Sequence, residues 1–264
     1  MVGGSLPWLA LAALVVCTAA SLRFYLPLAG AVFVRHEGLV RTGWVRWPDA
    51  AAAFVLCIWF LLLGREALAE QGARVVEFRH IVGSALTYAS VVIFIVGALV
   101  YRNEPLAHVF GWSSCGFVAA LGRALLCLLA AYPLLMLVQS MVYGVSGGDL
   151  TPQDVVEFLQ KAQTPRDRTA ILAMAVVIAP LSEEVIFRGF LYPVGKRYFG
   201  PFASALSTAL LFAVLHGHMA SIPALFTLAL GLSLAYEKTG SILVPVLMHS
   251  VFNAISVAGI LLLL

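Results

Sequence analysis

Apolar stretches follow one another along almost the whole chain, at residues 6–34, 50–63, 81–101, 115–143, 169–187, 202–215, 222–236 and 242–264. A hydrocarbon core of about 30 Å needs about 20 apolar residues per helix. Lipid offers no partners to backbone N–H and C=O groups, so such segments must satisfy their own hydrogen bonds. An all-α, polytopic membrane protein of about eight transmembrane helices is therefore expected. Composition points the same way: 62% of the 264 residues are hydrophobic and 11% are charged, whereas roughly a quarter are charged in a soluble domain. Stretches 202–215 and 222–236 are short by this ruler, which is tolerated where helix ends face a watered, protein-lined cavity.

The formal charge of +3 suits loops among anionic head groups and is too small and too dispersed for nucleic-acid binding. Cys17, Cys57, Cys115 and Cys127 have no CxxC spacing and read as small buried hydrophobes. Residues 1–22 lack the basic region of a signal peptide, and apolar sequence resumes after Arg23, so they open the first span. With no long polar stretch, residues 1–264 are expected to form a single membrane domain.

Residues 151–168 differ from the rest. Thr151 can cap a helix with Pro152 at its first position, and Val155, Val156, Phe158 and Leu159 lie opposite Gln153, Asp154, Glu157 and Lys161. This predicts an amphipathic helix in the membrane interface, broken at Thr164-Pro165. Basic residues do not set the orientation. Arg35, Arg41, Arg46, Arg102, Arg188, Lys196, Arg197 and Lys238 fall on one side, against Arg65, Arg74, Arg79, Lys161, Arg166 and Arg168 on the other.

Polar islands interrupt the last apolar stretches. Glu183 and Glu184 are adjacent within residues 171–191, with Arg188 one helical turn on. A charge near the bilayer centre costs roughly 2.5–3.5 kcal/mol on insertion scales, so such a cluster marks a functional site by default. Glu184 and Arg188, at i and i+4, form a natural pair whose separation would strand a charge, which is a supporting role. Glu183 is rotated about 100° from Glu184 and is freer to face a cavity. His216 follows Phe212 by one turn, and His249 precedes Asn253 by one turn. His218 cannot share the helical face of His216 and is the weaker candidate.

In this order, Glu183-Glu184-x-x-x-Arg188, Phe212-x-x-x-His216 and His249-x-x-x-Asn253 resemble the CPBP family, the type II CAAX prenyl endopeptidases and their bacterial relatives. The resemblance covers residues 169–257 and implies an intramembrane endopeptidase with its catalytic groups in a cavity open to one aqueous face. It also implies a multi-pass protein of a bacterial cytoplasmic membrane, with a peptide or protein substrate at the membrane that is lipidated in the CAAX case, and with lipids as its surroundings. Glu183 and His216 would activate water, while His249 and Asn253 would steady the oxyanion.

General chemistry agrees, since hydrolysis needs a base for water and donors where charge develops on the carbonyl oxygen. A carboxylate hydrogen-bonded to an imidazole, Glu183 to His216, would supply the base. The cofactor stays open. Glu183, His216 and His249 also match the carboxylate and two imidazoles of a catalytic zinc shell, although a pairing of Asn253 with His249 favours an oxyanion clamp and no metal. Gly144-x-Ser146-Gly147 matches the rhomboid-type serine motif, but Ser146 closes an apolar stretch before a polar loop and reads as a turn. H-E-x-x-H is absent. The non-enzyme alternative is a transporter or scaffold with a buried Glu/His relay for protons or ions, weakened by the lack of repeat symmetry.

Overall fold

The computed structural model describes residues 6–69, 78–146, 159 and 164–263. Among them there is no strand. The helices are α1 (Leu6–Ala29), α2 (Trp47–Ala69), α3 (Phe78–Tyr101), the short α4 (Leu106–Phe110), α5 (Phe117–Val145), α6 (Pro165–Ala173), α7 (Ala179–Ile186), α8 (Tyr192–Leu215), α9 (Ile222–Thr239) and α10 (Leu243–Leu263). A π turn at Gly30–Val34 extends α1. Two more, Met174–Ile178 and Phe187–Leu191, join α6, α7 and α8 into one helical path.

Among the described residues, six helical stretches are long and apolar enough to cross a membrane, and Leu243–Gly259 adds a shorter one. The 51-residue stretch Pro165–Leu215 breaks at Gly200, where φ is 81° and ψ is 168°. Glycine meets that φ without a Cβ penalty, and Pro201 then starts the next limb with its φ already set. The second limb, 201–215, rises only roughly 22 Å at about 1.5 Å per residue, so it ends short of a full crossing.

The amphipathic helix expected at 151–168 falls largely outside the described residues. Within that range, Leu159 is buried with Ile171 and Val257. Thr164 caps α6 by accepting from the Asp167 N–H at 3.1 Å, so the break at Thr164-Pro165 is the start of the next helix.

Burial separates lining rods from outer ones. Only 17% of the most apolar part of Trp47–Ala69 is buried, against 50% for Met219–Thr239. Helix α9 is the central rod: Leu225, Ala229 and Tyr236 belong to a core shared with α2, α3, α7 and α8, while Leu228, Leu232 and Ala235 pack with α1, α5 and α10. In the second core, Ser21 and Tyr25 of α1 donate to the carbonyls of Ala130 and Cys127 of α5. Such bonds matter in an apolar setting, where a bare hydroxyl would cost a few kcal/mol. All four cysteines are free.

Buried ions fasten one end of the bundle. Glu237, 1% exposed, accepts from Tyr192 Oη at 2.6 Å, Lys196 Nζ at 2.6 Å and the Val40 N–H at 3.0 Å. It thereby holds the α1–α2 connection against α8 and α9. Nearby, Asp49 at the start of α2 pairs with Arg102 at 2.8 Å, just past the end of α3. Lys196 and Arg197, expected in a loop, are helical. Arg188, expected near water among the loop cations, is 1% exposed, because it neutralises a buried carboxylate. Ser146 ends α5 with its hydroxyl on the Tyr143 carbonyl at 3.1 Å, as a turn residue does.

Candidate active site

The glutamate pair sits on α7 between two π turns. Because π turns shift helical phase, they redirect the side chains that follow, and they recur at functional sites. Glu183 and Glu184 point apart, as their adjacency requires. Glu184, with no exposure, accepts from Arg188 Nη1 at 2.9 Å and meets His249 Nδ1 at 2.9 Å through the same oxygen, Oε1. The guanidinium also donates to the Ala229 carbonyl at 2.9 Å, and its carbon lies 4.9 Å from the Phe212 ring centre. This cluster welds α7, the following π turn, α9 and α10 together. Its charges are not saturated, since Glu184 Oε2 and Arg188 Nε are buried with no hydrogen-bond partner.

Glu183 turns the other way and lines a cavity of about 100 Å³ with Tyr88, Phe187, Phe212, Leu215 and His216. Its Oε1 accepts from Tyr88 Oη at 2.7 Å. Its Oε2 lies 3.8 Å from His249 Nε2, an electrostatic approach and not a hydrogen bond.

His216 stands at the first position after α8, where the short second limb ends, and it is exposed. Its Nδ1 lies 2.7 Å from the Phe212 carbonyl. A carbonyl only accepts, so Nδ1 carries a proton, and the neutral ring of that tautomer has its lone pair on Nε2. Phe212 is the shared wall, with ring centres 4.7 Å from His216 and 5.6 Å from His249. Gly217 makes the turn beyond His216 at φ +64°, and a Cβ there would lie 2.6 Å from the Ala67 Cβ of α2. A glycine is needed on both counts.

The sequence-predicted residues are thus brought together unequally. Glu183 and His216 share a cavity, but no hydrogen bond joins them among the described residues, contrary to the expected carboxylate–imidazole contact. His249 faces both glutamates. The expected pairing of Asn253 with His249 is replaced by a bond from Asn253 Nδ2 to the Ala175 carbonyl at 2.8 Å, which serves a carbonyl of the first π turn. His218 bonds Ser221 at 2.7 Å and is not part of the cavity lining.

Among the described residues, no group of three His, Cys, Asp or Glu side chains is arranged to hold a metal ion. Glu183, His216 and His249 do not gather into a zinc shell in this arrangement. The sequence reading missed Tyr88. It is one of eight tyrosines, on a span with no acidic residue, and only the packing of α3 on α7 brings it to the site.

Among the described residues, an apolar helical bundle thus brings a carboxylate and an imidazole, Glu183 and His216, to one cavity. Residues 165–255 match the family model described as type II CAAX prenyl endopeptidase Rce1-like, the family to which the three motifs pointed. Over this third of its length the chain is similar to that family, whose members in general are CAAX-type intramembrane proteases acting on peptide substrates at the membrane. No curated protein and no solved structure matches the chain.

Proposed function

We propose that the protein is a glutamate-dependent intramembrane endopeptidase that hydrolyses a peptide bond close to the membrane surface, in a CAAX-type, C-terminal or leader segment. One observation carries this reading: Glu183 and His216 line the same small cavity inside the Rce1-like segment. About 100 Å³ suffices for a few waters, whose share of liquid volume is about 30 Å³ each. Glu183 takes a proton from one of them, and His216 holds that water through the lone pair on Nε2. The hydroxide formed attacks the scissile carbonyl carbon, and the same proton passes to the leaving amine as the C–N bond breaks.

His249 and Asn253 act on the developing oxyanion. With Nδ1–H directed at Glu184, His249 presents Nε2 toward Glu183, and as an imidazolium it donates from that atom. Asn253 offers the amide N–H that Ala175 does not take. Glu184 and Arg188 hold His249 and α7 in register. No step passes through a metal, since the donors do not form a shell. We further propose a bacterial cytoplasmic membrane as the setting, and a lipidated peptide or a hydrophobic C-terminal tail as the substrate.

The test is cleavage of a fluorogenic peptide ending in a farnesylated cysteine followed by two aliphatic residues and a terminal residue, with purified protein in detergent. Wild-type protein should cut it. Glu183→Ala and His216→Ala should each lower the rate by about 100- to 10,000-fold while thermal unfolding stays unchanged. Full activity of purified Glu183→Ala protein would sink the mechanism.

A further inference from the structure

Tyr88 lies 95 residues before Glu183, outside the family match at 165–255, so neither the motifs nor the match assigns it a role. Its phenol still makes the shortest polar contact of the catalytic carboxylate, at 2.7 Å to Oε1. Two other tyrosine hydroxyls of the bundle, on Tyr25 and Tyr236, donate to backbone carbonyls, which is how a buried phenol is ordinarily satisfied. Tyr192 donates to a carboxylate, but one that Lys196 already neutralises. Only Tyr88 combines a carboxylate partner with a place in the lining of the cavity that also holds His216.

The consequence concerns which oxygen of Glu183 is free. A glutamate carboxylate rotates in a broad, roughly two-fold well, so its two oxygens are equivalent unless something distinguishes them. The phenol O–H occupies Oε1. Oε2 is left on the side of His249 Nε2, 3.8 Å away, where the water and the developing oxyanion have to meet. We propose, on the basis of the endopeptidase reading above, that Tyr88 is a positioning residue that locks the Glu183 carboxylate with Oε2 as the proton-accepting oxygen. It acts through Glu183 and does not itself exchange a proton with substrate. The N-terminal spans therefore complete the site: α3, packed on α7, supplies the contact that orders the base.

The experiment uses the full chain in detergent and the farnesylated fluorogenic peptide. Tyr88→Phe keeps the ring and removes only the hydroxyl. It should lower kcat by about 10- to 100-fold, the scale on which small misplacement of a reacting group acts, while KM stays within about twofold and the unfolding temperature is unchanged. An unchanged kcat, or an effect on KM alone, overturns the assignment. So does a Tyr88→Phe protein that fails to accumulate where Glu183→Gln accumulates, because the hydroxyl would then be structural.

A second measurement is independent of turnover. The infrared carboxylate band that disappears in Glu183→Gln should shift in Tyr88→Phe, and a band that does not move overturns the proposal. Absence of cleavage by wild-type protein would count against the endopeptidase reading instead, and the infrared shift would then decide the Tyr88–Glu183 contact by itself.

Discussion

At the scale of single residues, the adjacent glutamates face different ways, Glu183 into the cavity and Glu184 into the packed interior. Glu184 is enclosed with Arg188 and His249, so Glu184→Ala or Arg188→Ala would leave a partner charge without compensation in a dry interior. Each should destabilise the protein by about 3–5 kcal/mol, seen as a lower unfolding temperature in detergent and a lower folded yield. Normal stability in both variants would move Glu184 out of the supporting role. The differing directions and the Glu184–Arg188 pair were legible from spacing alone, since residues one apart on a helix face different ways and residues four apart meet.

Three other features of the site were not legible. Tyr88 is remote in sequence, the contact of His249 with Glu184 depends on how α10 packs, and the bond from Asn253 to Ala175 needs a carbonyl on a π turn that no local signal announces. The metal question also belongs at this scale. Because Glu183, His216 and His249 do not converge as ligands among the described residues, peptide cleavage should survive a chelator. Roughly one equivalent of zinc in purified protein, whose removal and return stop and restart cleavage, would recast His249 as a ligand.

Among the elements, the path 165–215 does most to place the chemistry. Its π turns flank the glutamates, its helix breaks at Gly200, and its short second limb ends at His216. The end of that limb depends on Gly217. A side chain there meets both an unfavourable φ and the Ala67 Cβ on α2. Gly217→Val should therefore push the turn away from α2, lowering stability by about 1–3 kcal/mol and cleavage more steeply than stability, because His216 is the adjacent residue. Equal activity per folded molecule, measured by active-site titration against the unfolding midpoint, would argue that the turn does not position His216. Hydropathy showed separate apolar stretches at 169–187 and 202–215. It did not show the π turns that join Pro165–Ala173, Ala179–Ile186 and the start of Tyr192–Leu215, because π turns carry no compositional mark.

For the molecule as a whole, hydropathy was sufficient for the class: rods of apolar residues in lipid have few alternatives to helices. It could not rank the rods. Tertiary packing alone makes α9 the central element and leaves α1, α2, α3 and α5 with most of their apolar surface outward. With Arg188 buried, the cations on the two sides become still more even, so charge does not orient the bundle. What the assembly provides is a small recess in a largely apolar body, lined by a carboxylate held by one phenol and by an imidazole.

The central claim is that this recess cuts a peptide bond in a membrane-associated substrate. It is tested most directly by comparing the terminal peptides of membrane proteins, by mass spectrometry, between cells expressing wild-type protein and cells expressing Glu183→Gln at equal abundance. The account predicts at least one membrane protein whose shortened terminus appears with wild-type protein and is missing with Glu183→Gln. Identical termini in both, with the protein demonstrably folded, would contradict it and return the buried carboxylates to a relay or scaffold role.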